Sequence, residues 1–397
     1  MNIIEVITGN HKKEFNDFQR DLYRDNRFWI SPLDSETEAV FDPDKNAAFS
    51  KGEAIRWIIK DDKGRVIGRT AAFIDVVRRD VYKYPAGGIG YFEVIDDYQV
   101  AEKLFDTARE WLVERGIEAI DGPINFGEND SNWGLLIDGY SSPPTYGMPY
   151  HMKYYKDFFE RYGFKNYFDQ YSYLKDIAAV EVFPERFMRI AEWISKRPGY
   201  SFEHFRFASA SKYVDDVVEI YNATWAEFKD DFTPLDGSAL YDMIRKSKAF
   251  LDEELVWFAY HNDKPIAFFI LYPDLNQILQ HFNGRMNAFD ITRFIVLKKR
   301  KAMTRLRASA AGVHPKYQNS GVESAIFLQL YNVFQKKRHY KELELSWVGD
   351  FNPKMISIYE AIGAKRYKVH TTYRYLADRN LPFIRYKDEM PEKIDSK

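Results

Sequence analysis

Between Gln318 and Val322 the chain reads Gln-Asn-Ser-Gly-Val, directly before a stretch in which Val322, Ile326, Leu330 and Val333 fall on one helical face. The first turn of a helix carries N–H groups with no intrahelical acceptor and the positive end of the helix dipole, so such an entrance attracts a diphosphate. Gln318, Asn319, Ser320, Gly321 and Val322 are therefore candidate phosphate contacts, with glycine at 321 letting the backbone approach closely. A second reading competes. Ser320-Gly-Val-Glu323 has the pattern of a capping box, whose carboxylate folds back on the same N–H groups and opposes a phosphate. On that reading the segment is an ordinary well-capped core helix.

The elements around this turn position it. A short apolar run, residues 306–313, and His314-Pro315-Lys316-Tyr317 lead in; an alternating strand at 342–348 and a short helix from Asn352 to Ala361, ended by Gly363, follow. Strand, glycine turn, helix, strand and helix make an α/β unit with its binding site at the turn. The same order occurs earlier: a hairpin of 54–59 and 66–74 around Asp61-Asp-Lys-Gly64, a strand at 89–95, a helix over 100–115 closed by Gly116, and a strand at 117–120. Its helix entrance, Ile95-Asp-Asp-Tyr-Gln-Val100, has two acids and no glycine and is not expected to hold a diphosphate. The chain reads as a tandem: 1–176 is one unit with a degenerate coenzyme turn, 177–200 a linker and helix, and 201–397 the unit that keeps the motif. The second unit adds helices over 213–228 and 240–248, an insertion over 274–300 and a polar tail over 388–397.

Two spacings resemble the motifs of the GNAT acyl-CoA transferase superfamily. Gln318 and Gly321 match its phosphate motif while Glu323 departs from it, and Asn352, Tyr359 and Gly363 match the second motif. The long segment between 121 and 150 adds Gly122-Pro-Ile-Asn125, Asn129-Asp130, Trp133-Gly134, Pro143-Pro144 and Met148-Pro-Tyr150. With Pro273-Asp-Leu-Asn276, Asn283-Gly284 and 347–364, it is similar to tandem-GNAT proteins of the YghO type, and these stretches span most of the chain. The resemblance implies an α/β (α+β) fold of two tandem GNAT-like domains, each a mixed, mostly antiparallel twisted sheet flanked by helices. It implies acyl-CoA (coenzyme A) as co-substrate and an amine as acceptor, and it connects the chain with bacterial ceramide formation, in which a fatty acyl group goes onto a sphingoid amine. It also implies Tyr359 as the acid for the leaving thiolate; a tyrosine packing its helix on the sheet is the alternative. Asn129, Asp130, Trp133 and Tyr150 are the substrate-contact candidates in the long segment, which reads equally as a functional loop and as a cover over the interdomain seam.

Acyl transfer from a thioester to an amine needs a neutral amine, a polarised carbonyl and a proton for the thiolate. Strands parting near Gly312-Val313 would offer the Val313 N–H to the carbonyl. Asn352 is placed to anchor the coenzyme arm, and as an N-cap before Pro353 it also has a structural task. For the base, Asp350 comes first because it directly follows a strand, then Glu93 and Glu344; His314 and His281 are further candidates. No His, Asp and Glu set has metal spacing. With no cysteine in the chain, direct attack within a ternary complex is favoured over a covalent enzyme.

Composition sets the outer limits. The 397 residues are 45% hydrophobic and 17% aromatic, which suits either a pocket for an apolar substrate or a bulky core. A net charge of −2 argues against nucleic acid as a partner. One basic run, Lys298-Lys-Arg-Lys301 with Arg305 and Arg307, suits a nucleotide 3′-phosphate or anionic lipid headgroups, against the commoner reading of a solvated charge run; peripheral membrane contact stays open. The first residues lack a signal-peptide pattern and no apolar run reaches a membrane span, so a cytoplasmic location is the expectation. Partners are then a small-molecule acyl donor and an amine acceptor. Two other classes remain: an aminoacyl transferase fed by charged tRNA, and a non-catalytic acyl-CoA or lipid binder.

Overall fold

One sheet runs through the whole molecule. The computed structural model describes residues 1–80, 82–127, 131–179, 181–225 and 235–389. Among them are thirteen strands: β1 (Asn2–Glu5), β2 (Gly52–Lys60), β3 (Val66–Asp75), β4 (Ala86–Val94), β5 (Ala119–Gly122), β6 (Leu135–Asp138), β7 (Lys165–Asp176), β8 (Tyr200–His204), β9 (Val256–His261), β10 (Lys264–Pro273), β11 (Arg305–Val313), β12 (Glu342–Gly349) and β13 (Lys365–Leu376). Their spatial order is β1-β2-β3-β4-β5-β13-β7-β12-β11-β10-β9-β8, with β6 paired to β13. Pairing is antiparallel except for β4 with β5 and β11 with β12, so the fold is mixed α/β as expected.

Each half follows the same plan, and the closing strands are exchanged. β7, which ends the first half, lies against β12 of the second, with Leu343 opposite Lys175 and Gly349 opposite Gln170. β13, the last strand, lies against β5 of the first half, with Tyr373 opposite Gly122. Neither half's sheet is complete without a strand from the other.

Helices cover the sheet where apolar residues recur at helical spacing. The helix Tyr98–Val113 buries Val100, Ala101, Leu104, Phe105, Ala108 and Leu112, and its N-cap Asp97 accepts from the Gln99 N–H. In the second half the helix Val322–Lys336 buries Val322, Ile326, Leu330 and Val333, the face read from the sequence. Each fully buried aliphatic side chain of this kind contributes about 2 kcal/mol. The aromatic content is largely core: Phe92 stacks on Phe105 at 4.4 Å, and Phe183 meets Phe327 edge-on at 5.7 Å.

The opposite face of the second-half sheet carries a buried ionic layer. Along β11, Leu306 and Ala308 enter the helix-covered core, so Arg305 and Arg307 point the other way. Both are buried, which corrects the expectation of one basic patch with Lys298–Lys301. Arg305 donates twice to Asp274, at 2.7 and 2.9 Å, and Lys368 donates to Glu344 at 2.8 Å. Burial works against the charge of Glu344, but Lys368 and Arg305 outweigh it and hold the carboxyl below its usual range. Glu344 is thus a fixed partner of cations rather than a free base.

The long segment after β6 is bolted onto this layer. Lys368 donates to the Pro143 carbonyl at 3.0 Å, Arg305 to that of Pro144 at 3.3 Å, and the Tyr146 N–H donates to Asp274 at 2.8 Å. Arg307 donates to the Tyr146 carbonyl, and His370 Nε2 lies 3.1 Å from that of Pro149. Between 143 and 149 the segment is a structural cover. Three further details depart from the sequence reading: β6 was not anticipated, the insertion over 274–300 contains a helix at Ala288–Lys299, and the helix expected over 213–228 is Ala210–Trp225. Positions 226–228 of that expectation, and 390–397 of the tail, lie outside the described residues.

Because each half borrows a strand, urea unfolding is expected to be a single transition whether followed by tryptophan fluorescence or by backbone circular dichroism. Lys368→Met leaves the Glu344 carboxylate buried with Arg305 at 3.8 Å as its nearest cation. We expect a loss of about 3 kcal/mol, most of it restored by adding Glu344→Leu. Equal instability of the single and double variants would contradict this account of the layer.

Candidate functional site

β11 and β12 run side by side only from Arg305–Glu342 to Ala308–Leu345. Beyond that point β12 follows β7, pairing Val348 with Tyr171, while β11 stays with β10 as far as Val313 opposite Ala267. Among the described residues a gap opens between them, and β11, buried up to Ala308, becomes half-buried or exposed from Ser309 to Val313. The His314 N–H donates to Ile266 on β10, so by strand alternation the Val313 N–H points into the gap. The Val313 carbonyl faces the same way and accepts from Thr224 Oγ1 at 3.1 Å.

The first half has the same geometry with the gap filled. β4 and β5 pair only as far as Gly88–Asp121. The Ile124 N–H then donates to the Ile89 carbonyl at 2.8 Å, and a Cβ at Gly90 would stand 1.9 Å from the Ile124 carbonyl oxygen. The chain's own backbone occupies the edge that corresponds to the one on β11, with Gly90 making room for the Ile124 backbone and Gly88 for its side chain.

At the end of the open gap lies the turn singled out from the sequence. Asn319 has φ +65° and Gly321 has φ +80°, and the helix begins at Val322 with Gly321 as N-cap. This corrects the capping-box expectation: no side chain caps Gly321, Ser320 Oγ accepts from the Val322 N–H at 3.3 Å, and the Glu323 carboxylate turns onto its own N–H. Burial raises the Glu323 carboxyl above its usual range, with that hydrogen bond opposing. Gly321 is also closed on one side, since a Cβ there would meet Ile194 Cδ1 at 2.4 Å. Ile194 belongs to the linker helix Glu185–Ser195. The close backbone approach expected of this glycine is made by a side chain of the protein.

Beyond β12, Asn352, an exposed residue, caps the helix Pro353–Ala361 by accepting from the Met355 N–H at 3.2 Å. Tyr359 is buried in the core that also holds Ala308, Val322 and Val348, and its ring meets Tyr173 edge-on at 5.6 Å. Among the described residues its hydroxyl has no hydrogen-bond partner, and burial raises its pKa. Asp350 follows Gly349 at the strand end. Burial raises its carboxyl while Arg385, donating to Oδ2 at 2.8 Å, opposes, and Oδ1 is buried with no partner among the described residues.

The remaining candidates lie elsewhere. Glu93 is in the first half, where Oε2 accepts from Tyr23 at 2.7 Å and Tyr155 at 2.8 Å; burial pushes its carboxyl up to about 7, with Arg69 opposing. Tyr150 joins that group through an edge contact with Tyr23, while its hydroxyl donates to the Tyr140 carbonyl. These two are not brought together with Tyr359. Trp133 is buried with Phe73, Phe126 and Phe168 in a cluster at the seam, against which Trp347 and Phe351, the neighbours of Asp350, also pack. Asn129 and Asp130 lie outside the described residues. A cleft of about 410 Å³ sits at the far end of the helix Val322–Lys336, away from the glycine turn, lined by Lys298, Lys301, Lys337 and His339 and by the acids Asp252, Glu253 and Glu254. Ile194, Thr224 and Arg385 escaped sequence reasoning, because nothing in the local pattern links them to the turn or the strand end. Among the described residues no group of three His, Asp or Glu has a metal-holding arrangement, and no helix is long and apolar enough to cross a membrane.

Comparison with known proteins agrees with this architecture. No family model matches the chain. It is 27% identical over 373 residues to protein YghO of Escherichia coli strain K12, covering 92% of this chain and 93% of that one. It is 26% identical over 380 residues to a bacterial ceramide synthase of Caulobacter vibrioides, covering 94% and 97%. Among solved structures, a tandem GNAT protein from the clavulanic acid biosynthesis pathway aligns with a TM-score of 0.55 at 11% identity, over 96% of this chain and 99% of that one. A GCN5-related glucosamine N-acetyltransferase region of a fungal multi-domain β-N-acetylglucosaminidase aligns with a TM-score of 0.56 at 13% identity, over 94% of this chain and 38% of that one. With both halves built on that plan, the chain is a tandem GNAT-fold protein, similar along nearly its whole length to YghO and to the ceramide synthase.

Proposed function

We propose that the protein is an acyl-CoA-dependent N-acyltransferase whose second half holds the coenzyme and whose acceptor is a long-chain, sphingoid-type amine approaching from the seam. The observation that carries this is the difference between the halves: one strand gap is filled by Ile124, while the other is unfilled among the described residues and ends at a glycine-turned helix entrance. An unpaired strand edge offers N–H and C=O groups to an amide-bearing arm such as pantetheine, as it would to an added strand. The amides after Ser320 then face the diphosphate. The lipid acceptor rests on similarity to the ceramide synthase and on the half-buried rings of Trp347 and Phe351 near Asp350.

In this reading the Val313 N–H donates to the thioester carbonyl oxygen and stabilises the negative charge that develops there. Asp350 accepts a proton from the amine as the C–N bond forms; its raised pKa makes it a better base than an exposed aspartate. Tyr359 gives its hydroxyl proton to the sulfur as the C–S bond breaks. Burial keeps that proton in place at neutral pH, and it raises the basicity of a thiolate in the same apolar surroundings as well, so the two stay matched.

A second reading is favoured by Glu323, whose carboxylate lies on the helix entrance and competes with a phosphate: a lipid or acyl-CoA binder without turnover. Thermal-shift titration with acetyl-, palmitoyl- and free coenzyme A, combined with a turnover assay on long-chain amines, separates the two. Stabilisation by coenzyme with amide formation supports the enzyme; stabilisation without product supports the binder.

Three variants test the assignment. Asn319→Asp keeps a residue type that tolerates positive φ while adding charge at the entrance, and is expected to weaken coenzyme binding about tenfold. Glu323→Gln is expected to tighten it. Since protonation of a carboxyl with a raised pKa removes the competing charge, wild-type affinity should rise as pH falls and that of Glu323→Gln should change less. Tyr359→Phe should lower kcat by about a hundredfold with coenzyme affinity unchanged; equal turnover would remove the acid role.

A further inference from the structure

The helix Ala288–Lys299, in the insertion between β10 and β11, buries none of its residues. Four of its apolar residues point outward. Phe289 is 76% exposed, Ile291 53%, Ile295 48% and Val296 41%. At about 100° per residue these four lie on the two flanks of one outward arc, with Ala288, Thr292 and Lys299 between them. Phe294 and Leu297 face the other way and pack on the small core of Leu279, Phe282 and Met303. The helix is therefore already anchored, and the outer apolar arc is surplus to its folding.

Charge is distributed to match. From Ala288 to Lys301 there are five basic residues and one acid, Asp290. Asp290 is spent in a capping box with Asn287, its carboxylate accepting from the Asn287 N–H at 3.1 Å. Lys298, Lys299, Arg300 and Lys301 follow one another at the C-terminal end. The outer arc carries no acid, and its apolar residues stand on a single ridge rather than lining a groove that would seat a peptide. An apolar arc bordered by lysine and arginine suits the boundary between headgroups and acyl chains, where apolar side chains enter and basic stems reach back to phosphates.

We propose that this helix lies in the plane of an anionic lipid surface and docks the protein there, with Phe289, Ile291, Ile295 and Val296 inserted and Lys299 and Arg300 on the headgroups, while Lys298 is held by the Ala249 carbonyl. The assignment stands on the surface of the insertion alone and does not depend on the reaction proposed above.

The test is flotation of the full chain with vesicles of phosphatidylcholine, against vesicles in which about one third of the lipid is phosphatidylglycerol. Wild type is expected to float with the anionic vesicles, to bind phosphatidylcholine alone more weakly, and to release with salt. Lys299→Ala with Arg300→Ala removes two charges, each worth roughly a factor of five at such a surface, and should weaken binding about thirtyfold. Phe289→Ser with Ile295→Ser should weaken it at least tenfold at unchanged charge. All four positions are exposed, so both double variants should keep the wild-type circular dichroism spectrum. Wild type that ignores anionic vesicles overturns the proposal, as does a Phe289→Ser, Ile295→Ser variant that binds like wild type. If wild type ignores vesicles but forms a concentration-dependent dimer in sedimentation that this variant lacks, the ridge seats a second copy of the chain and the lipid assignment fails.

Discussion

Parallel pairing between β11 and β12 stops at Ala308 and Leu345, and the function proposed for this molecule depends on that parting. A parallel pair that separates leaves backbone N–H and C=O groups facing empty space, and such groups are costly to leave unmatched once buried. The two halves meet this constraint differently. In the first, the chain closes the gap with its own Ile124 backbone; in the second, the edge from Ser309 to Val313 is left half-exposed. The two halves thus share one plan, and among the described residues only the second leaves this edge without a backbone partner.

The exchanged strands and the ionic layer under them hold the gap in place. β12 is drawn away from β11 by its pairing with β7, a strand supplied by the first half. On the same sheet Arg305, Asp274, Glu344 and Lys368 lock together beneath a cover whose carbonyls take the remaining donors. Buried charges of this kind add little net stability, but removing one partner is expensive, so the arrangement fixes the relative position of the strands more than it strengthens them. Asp350 and Tyr359 inherit their positions from that frame.

Much of the fold was legible because it follows from periodicity. The face of the helix Val322–Lys336, the hairpins and the tandem order are all consequences of local spacing. Strand exchange was not legible, since β7 and β13 carry the same alternation whichever neighbour they take. The ionic layer left a trace that went unused: Arg305 and Arg307, and Lys368 and His370, each sit two apart in a strand, the spacing that puts both on one face. The glycine turn was found, but its details were not. Gly321 rather than Ser320 is the N-cap, and Ile194 packs against it from a helix more than a hundred positions earlier. Glu93 ranked behind Asp350 as a candidate base, and its place in the first half, bonded to Tyr23 and Tyr155, was not visible from its spacing.

The most direct measurement is a crystal structure of the protein with a bound acyl-coenzyme A. The account predicts a diphosphate within about 3 Å of the amides of Gly321 and Val322, the Ser320 hydroxyl displaced from the Val322 N–H, the Glu323 side chain turned away from its own N–H, and the pantetheine arm along β11 beside Val313. A coenzyme seated in the first half, or in the cleft beside Lys337 and His339, with Glu323 still folded onto the helix entrance, would contradict it.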